Sequence, residues 1–249
     1  EGCDDGNLIN NDGCSSSCIT EPLIMSVDYP VIAHGGKLVI TGTNFSGVTA
    51  VTIGGVAQTF IVNNNTQITI NSVTDNIPLD TQSVLVTTPS GTSASWNVVV
   101  VHLVINEIDV EENGSDIHEM IEISTGLFRS VTLTGYYVVA IDGDTLQSYN
   151  INTDSGINLG VASTTASGFF VMATSASGYT RQVTFPSNSL FSSGDAIAIY
   201  QRTTSVPSST SVGSISGNII DVIVYMTNDS SWMLNNLLNA YYGTNTAEP

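Results

Sequence analysis

Apolar residues in this chain come in short runs, alternating or β-branched, that Gly, Asn and Pro interrupt before a helix could complete its turns. A strand points successive side chains to opposite faces, so Lys-Leu-Val-Ile-Thr at 37–41 offers one face to a core and the other to water. Val-Thr-Ile at 51–53 and Val-Ala-Gln at 56–58 flank Gly54-Gly55, the two-residue signal of a tight hairpin. Val-Leu-Val-Thr at 84–87 and Ser-Trp-Asn-Val-Val-Val-Val at 95–101 predict a further hairpin around Pro89-Ser90-Gly91. Strand signals resume at 102–108, 119–123, 135–141, 168–172, 195–200 and 219–225. This spacing predicts an all-β chain with two β-sandwiches in tandem, over 21–101 and 102–249. One segment departs from it. At 231–242, Leu234, Leu237, Leu238 and Tyr241 recur at helical spacing behind Asp229 or Ser230, which predicts a short helix before a loose tail.

Charge narrows the partners. Lys37, Arg129, Arg181 and Arg202 are the four basic residues against twenty-two acidic ones, a net charge of −18. Nucleic acid and anionic lipid are held by Lys and Arg, so neither is expected as a direct partner. No apolar run reaches the roughly 18 residues a membrane helix needs, so no membrane insertion is expected. Charged residues make up 10% of the chain, well under the ordinary proportion of about a quarter. Ser, Thr, Asn and Gly supply the polar surface instead, which fits life outside the cell. Glu1-Gly2-Cys3 does not read as a signal peptide; a mature product or a fragment is expected.

All three cysteines, Cys3, Cys14 and Cys18, fall in the first eighteen residues, among turn-forming Asp-Gly and Asn-Asp-Gly sequences. With no fourth soft ligand nearby, a disulfide framework is favoured over thiolate zinc, and it implies an oxidising compartment. An odd count leaves one thiol to pair outside this segment. Asn44, Asn64, Asn113 and Asn228 each open an Asn-x-Ser/Thr sequon, the acceptor of N-glycosylation in a secreted glycoprotein.

The parts resemble known families. Cys-Asp-Asp-Gly-Asn at 3–7 followed by Asp-Gly-Cys-Ser-Ser-Ser-Cys at 12–18 resembles part of a Cys-rich repeat of myxobacterial and other secreted proteins, covering 1–20. Pro22-Leu-Ile, Gly35-Gly36, Ile40-Thr-Gly-Thr-Asn-Phe45, Ile53-Gly-Gly-Val56 and Thr88-Pro-Ser-Gly91 resemble the IPT/TIG immunoglobulin-like module. Ile105-Asn-Glu-Ile108, Glu119-Met-Ile-Glu122, Leu133-Thr-Gly-Tyr136, Gly168-Phe-Phe-Val171, Gly194-Asp-Ala-Ile-Ala198 and Ile220-Asp-Val-Ile-Val-Tyr225 resemble a lamin-tail domain of secreted and surface proteins. These resemblances imply two immunoglobulin-like β-sandwiches behind a small disulfide-stapled N-terminal segment. They also imply extracellular mosaics, in which such modules act as spacers, contact surfaces or appendages of secreted nucleases.

The chemistry the sequence offers is acidic. Seven carboxylates lie between Glu107 and Glu122 with no Lys or Arg among them. Unneutralised carboxylates repel, so protons, solvent or a hard cation must hold them together, and calcium takes six to eight oxygens. The candidate ligands are Glu107, Asp109, Asp116, Glu119 and Glu122, with Asp142 and Asp144 in a second acidic turn. The competing reading is a solvated acidic face with one buried Glu bonded to backbone amides. Catalysis is not expected: His34, His102 and His118 lie in separate contexts, and no nucleophile elbow or zinc-protease motif occurs. In the pairs Tyr136-Tyr137, Phe169-Phe170 and Tyr241-Tyr242, one ring should enter a core while the other faces out, where it could stack on a sugar.

These features lead to a non-enzymatic extracellular protein. The leading expectation is a structural role: a subunit or segment of a surface filament, coat or adhesin stalk that assembles with itself or other surface proteins through β-strand edges. Such edges are usually guarded by Lys or Pro, and Lys is nearly absent here. The alternative is a targeting or binding module, for calcium or carbohydrate, of a larger secreted hydrolase or nuclease.

Overall fold

The computed structural model describes residues 3–4, 6, 9–10, 14–110, 118–151, 156–187, 189–190, 195–215 and 217–225. It divides into two compact units, Glu1–Val101 and His102–Pro249. The described residues are all-β, two immunoglobulin-like sandwiches with a Cys3–Cys14 disulfide at the N-terminus. The expected helix at 231–242 lies outside the described residues.

The first unit contains β1 (Leu23–Val27), β2 (Val31–Ala33), β3 (Leu38–Thr43), β4 (Ala50–Ile53), β5 (Val56–Ala57), β6 (Ile61–Asn64), β7 (Gln67–Ile70), β8 (Asp80–Thr88), β9 (Gly91–Thr92) and β10 (Trp96–Val101). One sheet runs β1-β3-β7-β6; the other runs β2-β10-β8-β4-β5 with β9 on β8. Alternation does what the sequence predicts. Leu38 and Ile40 of β3 and Ile68 and Ile70 of β7 face Val51, Ile53, Val84, Val86, Val98 and Val100 of the second sheet, around Phe45. Fully burying each such side chain contributes about 1.5–3 kcal/mol. Gly54 (φ 58°) and Gly55 (φ 80°) take the two positive-φ positions of the β4–β5 turn, a conformation that β-carbons oppose. Gly42 of β3 serves packing: a β-carbon there would stand 2.0 Å from the Leu23 carbonyl oxygen.

The second unit contains β11 (Val104–Asp109), β12 (Met120–Ser124), β13 (Tyr136–Asp142), β14 (Gln147–Tyr149), β15 (Gly156–Asn158), β16 (Phe169–Thr174), β17 (Val183–Phe185), β18 (Asp195–Gln201) and β19 (Asn218–Tyr225). Its sheets run β11-β12-β16-β17 and β14-β13-β18-β19, with β15 also on β13. Here simple alternation fails. Six of the seven residues of β13 and all seven of β18 are buried, so both faces of this sheet are covered. Val139, Ile141, Ala196, Ala198 and Tyr200 make up one face, and Leu146, Val206, Val212 and Ile215 pack over it from connecting segments. No residue of β11, β12, β16 or β17 joins that cluster, so this is the face turned away from the partner sheet. That cover corrects one expectation: Tyr136 and Tyr137 point to opposite faces, yet both are buried. Phe170 is buried and Phe169 half-buried, while Tyr241-Tyr242 lies outside the described residues.

Candidate functional site

The described acids of the acidic segment and of the second acidic turn lie on two different sheets. In the β11–β12 pairing Glu107 stands directly opposite Glu122, with Asp109 opposite Met120, after a register shift between Ile105 and Glu107. These acids share the sheet face opposite to the core residues Ile121 and Ile123. Like charges facing across strands are unfavourable. Asn106 Nδ2 relieves part of this by donating to Glu122 Oε1 (2.8 Å). Asp142 and Asp144 lie at the end of β13 in the other sheet, where Asp142 Oδ1 accepts the amides of Asp144 and Thr145 (both 2.9 Å). Asp116 lies outside the described residues. Among the described residues no group of three or more His, Cys, Asp or Glu side chains could hold a metal ion.

Glu119 has a different role. It is fully buried, and its two carboxylate oxygens accept the amides of Ser189 (3.1 Å) and Leu190 (2.5 Å). That is the buried glutamate bonded to backbone amides that competed with the metal reading. It ties the start of β12 to the connection before β18.

Asp195, which opens β18, was not singled out by sequence reasoning. It is buried, and its Oδ1 accepts the Gly143 amide (3.1 Å) while Oδ2 has no hydrogen-bond partner among the described residues. Burial pushes its carboxyl up to about 6; the Gly143 amide and the Tyr149 hydroxyl pull it back, and Asp142 and Asp144 add to the rise. The hydroxyls of Tyr149 and Tyr225 bond to each other beside it (3.1 Å), and burial also raises Tyr225. At the other end of β18, Tyr200 OH and Arg202 Nη1 are likewise buried without a hydrogen-bond partner among the described residues. Burial pushes the Tyr200 phenol up to about 12 and lowers Arg202. Arg202 clamps its own turn by donating to the Thr204 and Ser205 carbonyls. These groups lie inside the packed sheet, where they hold turns and strand ends.

Of the cysteines, Cys3 and Cys14 are joined and Cys18 stays outside that bond. Of the sequons, Asn64 is exposed and its Oδ1 accepts both the amide and the hydroxyl of Thr66. The Asn44 side-chain nitrogen is engaged, donating to the Glu21 carbonyl (2.9 Å). Asn113 and Asn228 lie outside the described residues.

Among the described residues, the most exposed large apolar side chain is Phe128, at 95%. It sits between β12 and β13 on a loop anchored at both ends. At its start, the Thr125 amide and hydroxyl both donate to the Gly168 carbonyl (3.1 and 2.9 Å), and the Leu127 amide donates to Thr125 Oγ1 (3.3 Å). At its end, the Val131 amide donates to Thr164 Oγ1 (2.9 Å) and Ser130 Oγ to the Thr164 carbonyl (2.7 Å). Gly168 (φ 82°) is required: a β-carbon there would lie 1.9 Å from the Leu127 carbonyl oxygen. Arg129 follows Phe128, half-buried. Tyr179, 42% exposed, projects from the β16–β17 connection, where Arg181 bonds the Tyr179 carbonyl (3.2 Å) and Thr184 Oγ1 (2.8 Å). Sequence reasoning looked for exposed rings in paired aromatics and passed over these single ones; the only signal was a lone Phe in the turn sequence Thr-Gly-Leu-Phe-Arg-Ser.

No family model matches the chain, and no curated protein matches it. Solved structures similar to it include the Bacteroides ovatus SGBP-B of a mixed-linkage glucan utilization locus, in complex with a mixed-linkage heptasaccharide. It is 14% identical, covering 61% of this chain and 44% of that one, with a TM-score of 0.30. SGBP-B from a complex xyloglucan utilization locus in Bacteroides uniformis is 15% identical over 76% of this chain and 49% of that one, TM-score 0.27. The plexin A4 extracellular region is 12% identical over 82% and 19%, TM-score 0.36. The chain spans less than half the length of each. At these scores the likenesses carry no functional argument.

Proposed function

We propose that this chain is a non-catalytic contact module of a secreted or surface protein, and that it holds carbohydrate through the Phe128 loop. The observation that carries this reading is a phenyl ring almost wholly in water on a loop fixed at both ends. Covering an apolar ring that water surrounds is favourable. The apolar face of a sugar ring is a fitting cover, because it stacks flat on an aromatic face while its hydroxyls stay hydrated or hydrogen-bonded. Fixing the loop beforehand removes part of the ordering cost of binding. Arg129, the next residue in sequence, carries donors of the kind that sugar hydroxyls accept. An extracellular location agrees with the disulfide and with the hydroxyl-rich, charge-poor surface; among the described residues no helix is long and apolar enough to cross a membrane. Calcium has no part in this reading.

The test is retention on insoluble polysaccharides and on a glycan array, comparing the native protein with Phe128→Ala. The expected result is binding to at least one glycan, weakened about tenfold or more by the substitution, the equivalent of about 1.4 kcal/mol. Absence of any glycan binding by the native protein, or equal binding by the variant, would overturn it. A second reading, assembly through sheet edges, has its own observation in the first unit.

A further inference from the structure

Strand β6 closes one side of the β1-β3-β7-β6 sheet, and all four of its residues are exposed, with Ile61 at 52% and Val62 at 38%. An edge strand presents N–H and C=O groups to solvent, and folded proteins usually guard it with Lys, Pro or an inward charge. Here no guard of that kind is near. Between Lys37 and Asp75 the sequence contains no charged residue and no proline, the longest charge-free stretch in a chain of net charge −18. Several other edges carry charge: β11 has Glu107 and Asp109, β19 has Asp221, and β1 lies between Glu21 and Asp28, while β5, an edge in the same charge-free stretch, is only the two residues Val56–Ala57. Two copies of so acidic a chain repel each other over most of their surface. Their approach is least opposed at β6.

We propose that a second copy of this chain pairs with β6, antiparallel and about a two-fold axis, so that the two four-stranded sheets become one. A two-fold contact is self-complementary, and Ile61 and Val62 of one copy then meet the same residues of the other, covering apolar surface that is otherwise wet. The register shift between Val62 and Asn64 limits the paired length. Asn63 Nδ2 turns back to Gln67 Oε1 (2.9 Å) and Thr69 Oγ1 (2.8 Å) on its own hairpin. The dimer is therefore weak, and salt strengthens it by screening the like charges around the seam, the reverse of an interface built on ion pairs. A glycan on Asn64, which ends β6, would close this edge.

The proposal goes beyond the carbohydrate reading and stands independently of it. Sedimentation velocity of the full, unglycosylated chain would be run from about 1 to about 500 µM protein and from about 20 to about 500 mM salt. The expected result is a monomer–dimer equilibrium that tightens several-fold with salt. Ile61→Lys should abolish it with the circular dichroism unchanged, and Ser26→Lys on β1, the opposite edge, should leave it intact. A monomer at every concentration and salt, or a dimer that survives Ile61→Lys, would overturn the proposal. Phe128→Ala should leave dimerisation untouched, so failure of the glycan test and failure of this one are separate results.

Discussion

The two sandwiches solve the same packing problem with different chemistry. In the first, β3 and β7 face β4, β8 and β10 across a continuous aliphatic core around Phe45. In the second, ionisable groups turn inward: Glu119 at the start of β12 on two amides, and, on the sheet buried on both faces, Asp195 against the β13 turn and Tyr200 and Arg202 at the far end of β18. Every buried side-chain polar atom that lacks a partner among the described residues belongs to the second unit. Burying one face of a sheet takes only alternation. Burying both leaves strand ends and connecting segments inside, and their backbone groups must be met by polar side chains. The cost is a unit whose stability depends on single contacts and on pH.

The largest expected effect tests that dependence. Glu119→Ala leaves two buried amides without an acceptor, at about 1–3 kcal/mol each, so the second unit should lose about 4 kcal/mol. Amide hydrogen exchange read by mass spectrometry should show faster exchange across β12, β16 and β18 with β3 and β7 unchanged. Equal loosening of both units would mean that their stabilities are not separate.

Next in size is a matched pair of glycine substitutions. A β-carbon at Gly42 would meet the Leu23 carbonyl oxygen at 2.0 Å, and one at Gly168 the Leu127 carbonyl oxygen at 1.9 Å. Each alanine should cost about 3 kcal/mol, because backbone must move to admit it, and Gly168 adds the strain of a positive φ. The functional outcome should differ between the units. Gly168→Ala should also weaken glycan retention by displacing the Phe128 loop, whereas Gly42→Ala should not.

How far the sequence could be read follows the same division. The first unit was legible because period-two burial, the Gly54-Gly55 turn and the closing β8–β10 pairing are local signals. In the second, the positions of β11, β12, β13, β16, β18 and β19 were legible, but their faces were not. Much of the cover over Val139 and Ile141 comes from Val206, Val212 and Ile215, far along the chain, so no local pattern announces it. Glu119 and Glu122 look alike in the sequence, three residues apart, yet one is buried on amides and the other faces Glu107 across the strand pair. Linear clustering of charge says nothing of which side chain turns inward. Phe128 was invisible for the opposite reason: a lone apolar residue in a turn usually packs.

A smaller effect should come from Asp195. Its folded value of about 6 lies above the ordinary carboxylate value near 4, so the folded unit holds the proton more tightly than the unfolded chain does. The stability that this proton confers is fully present below about pH 4 and is lost as pH rises through 6. Asp195→Asn keeps an acceptor for the Gly143 amide and removes the charge. It should stabilise the second unit by about 1–2 kcal/mol at pH 7–8, do little at pH 4, and flatten the pH dependence between them. Denaturant titrations at several pH values would show this; equal slopes for both proteins would place the dependence on another group.

The smallest expected effect concerns the disulfide and belongs to the first unit. In isolation a cross-link closing a loop of this size stabilises a fold by about 3 kcal/mol, if the fold depends on that loop. Here it does not. Cys3–Cys14 closes a loop of sequence separation 11 before the first strand, and the continuous core starts at Ile24. The segment is tied to itself by short-range bonds, such as the Ser16 amide to Asn10 Oδ1 (2.7 Å) and the Cys18 amide to the Ser15 carbonyl (2.8 Å). Reduction should release residues 1–20 and lower the melting temperature of the first unit by no more than about 2 °C, on the scale at which 1 kcal/mol shifts a domain of this size by about 4–8 °C. Calorimetry with and without reductant, beside limited proteolysis of the N-terminus, would separate the two responses. A shift several times larger would mean that the stapled segment packs as part of the first sandwich.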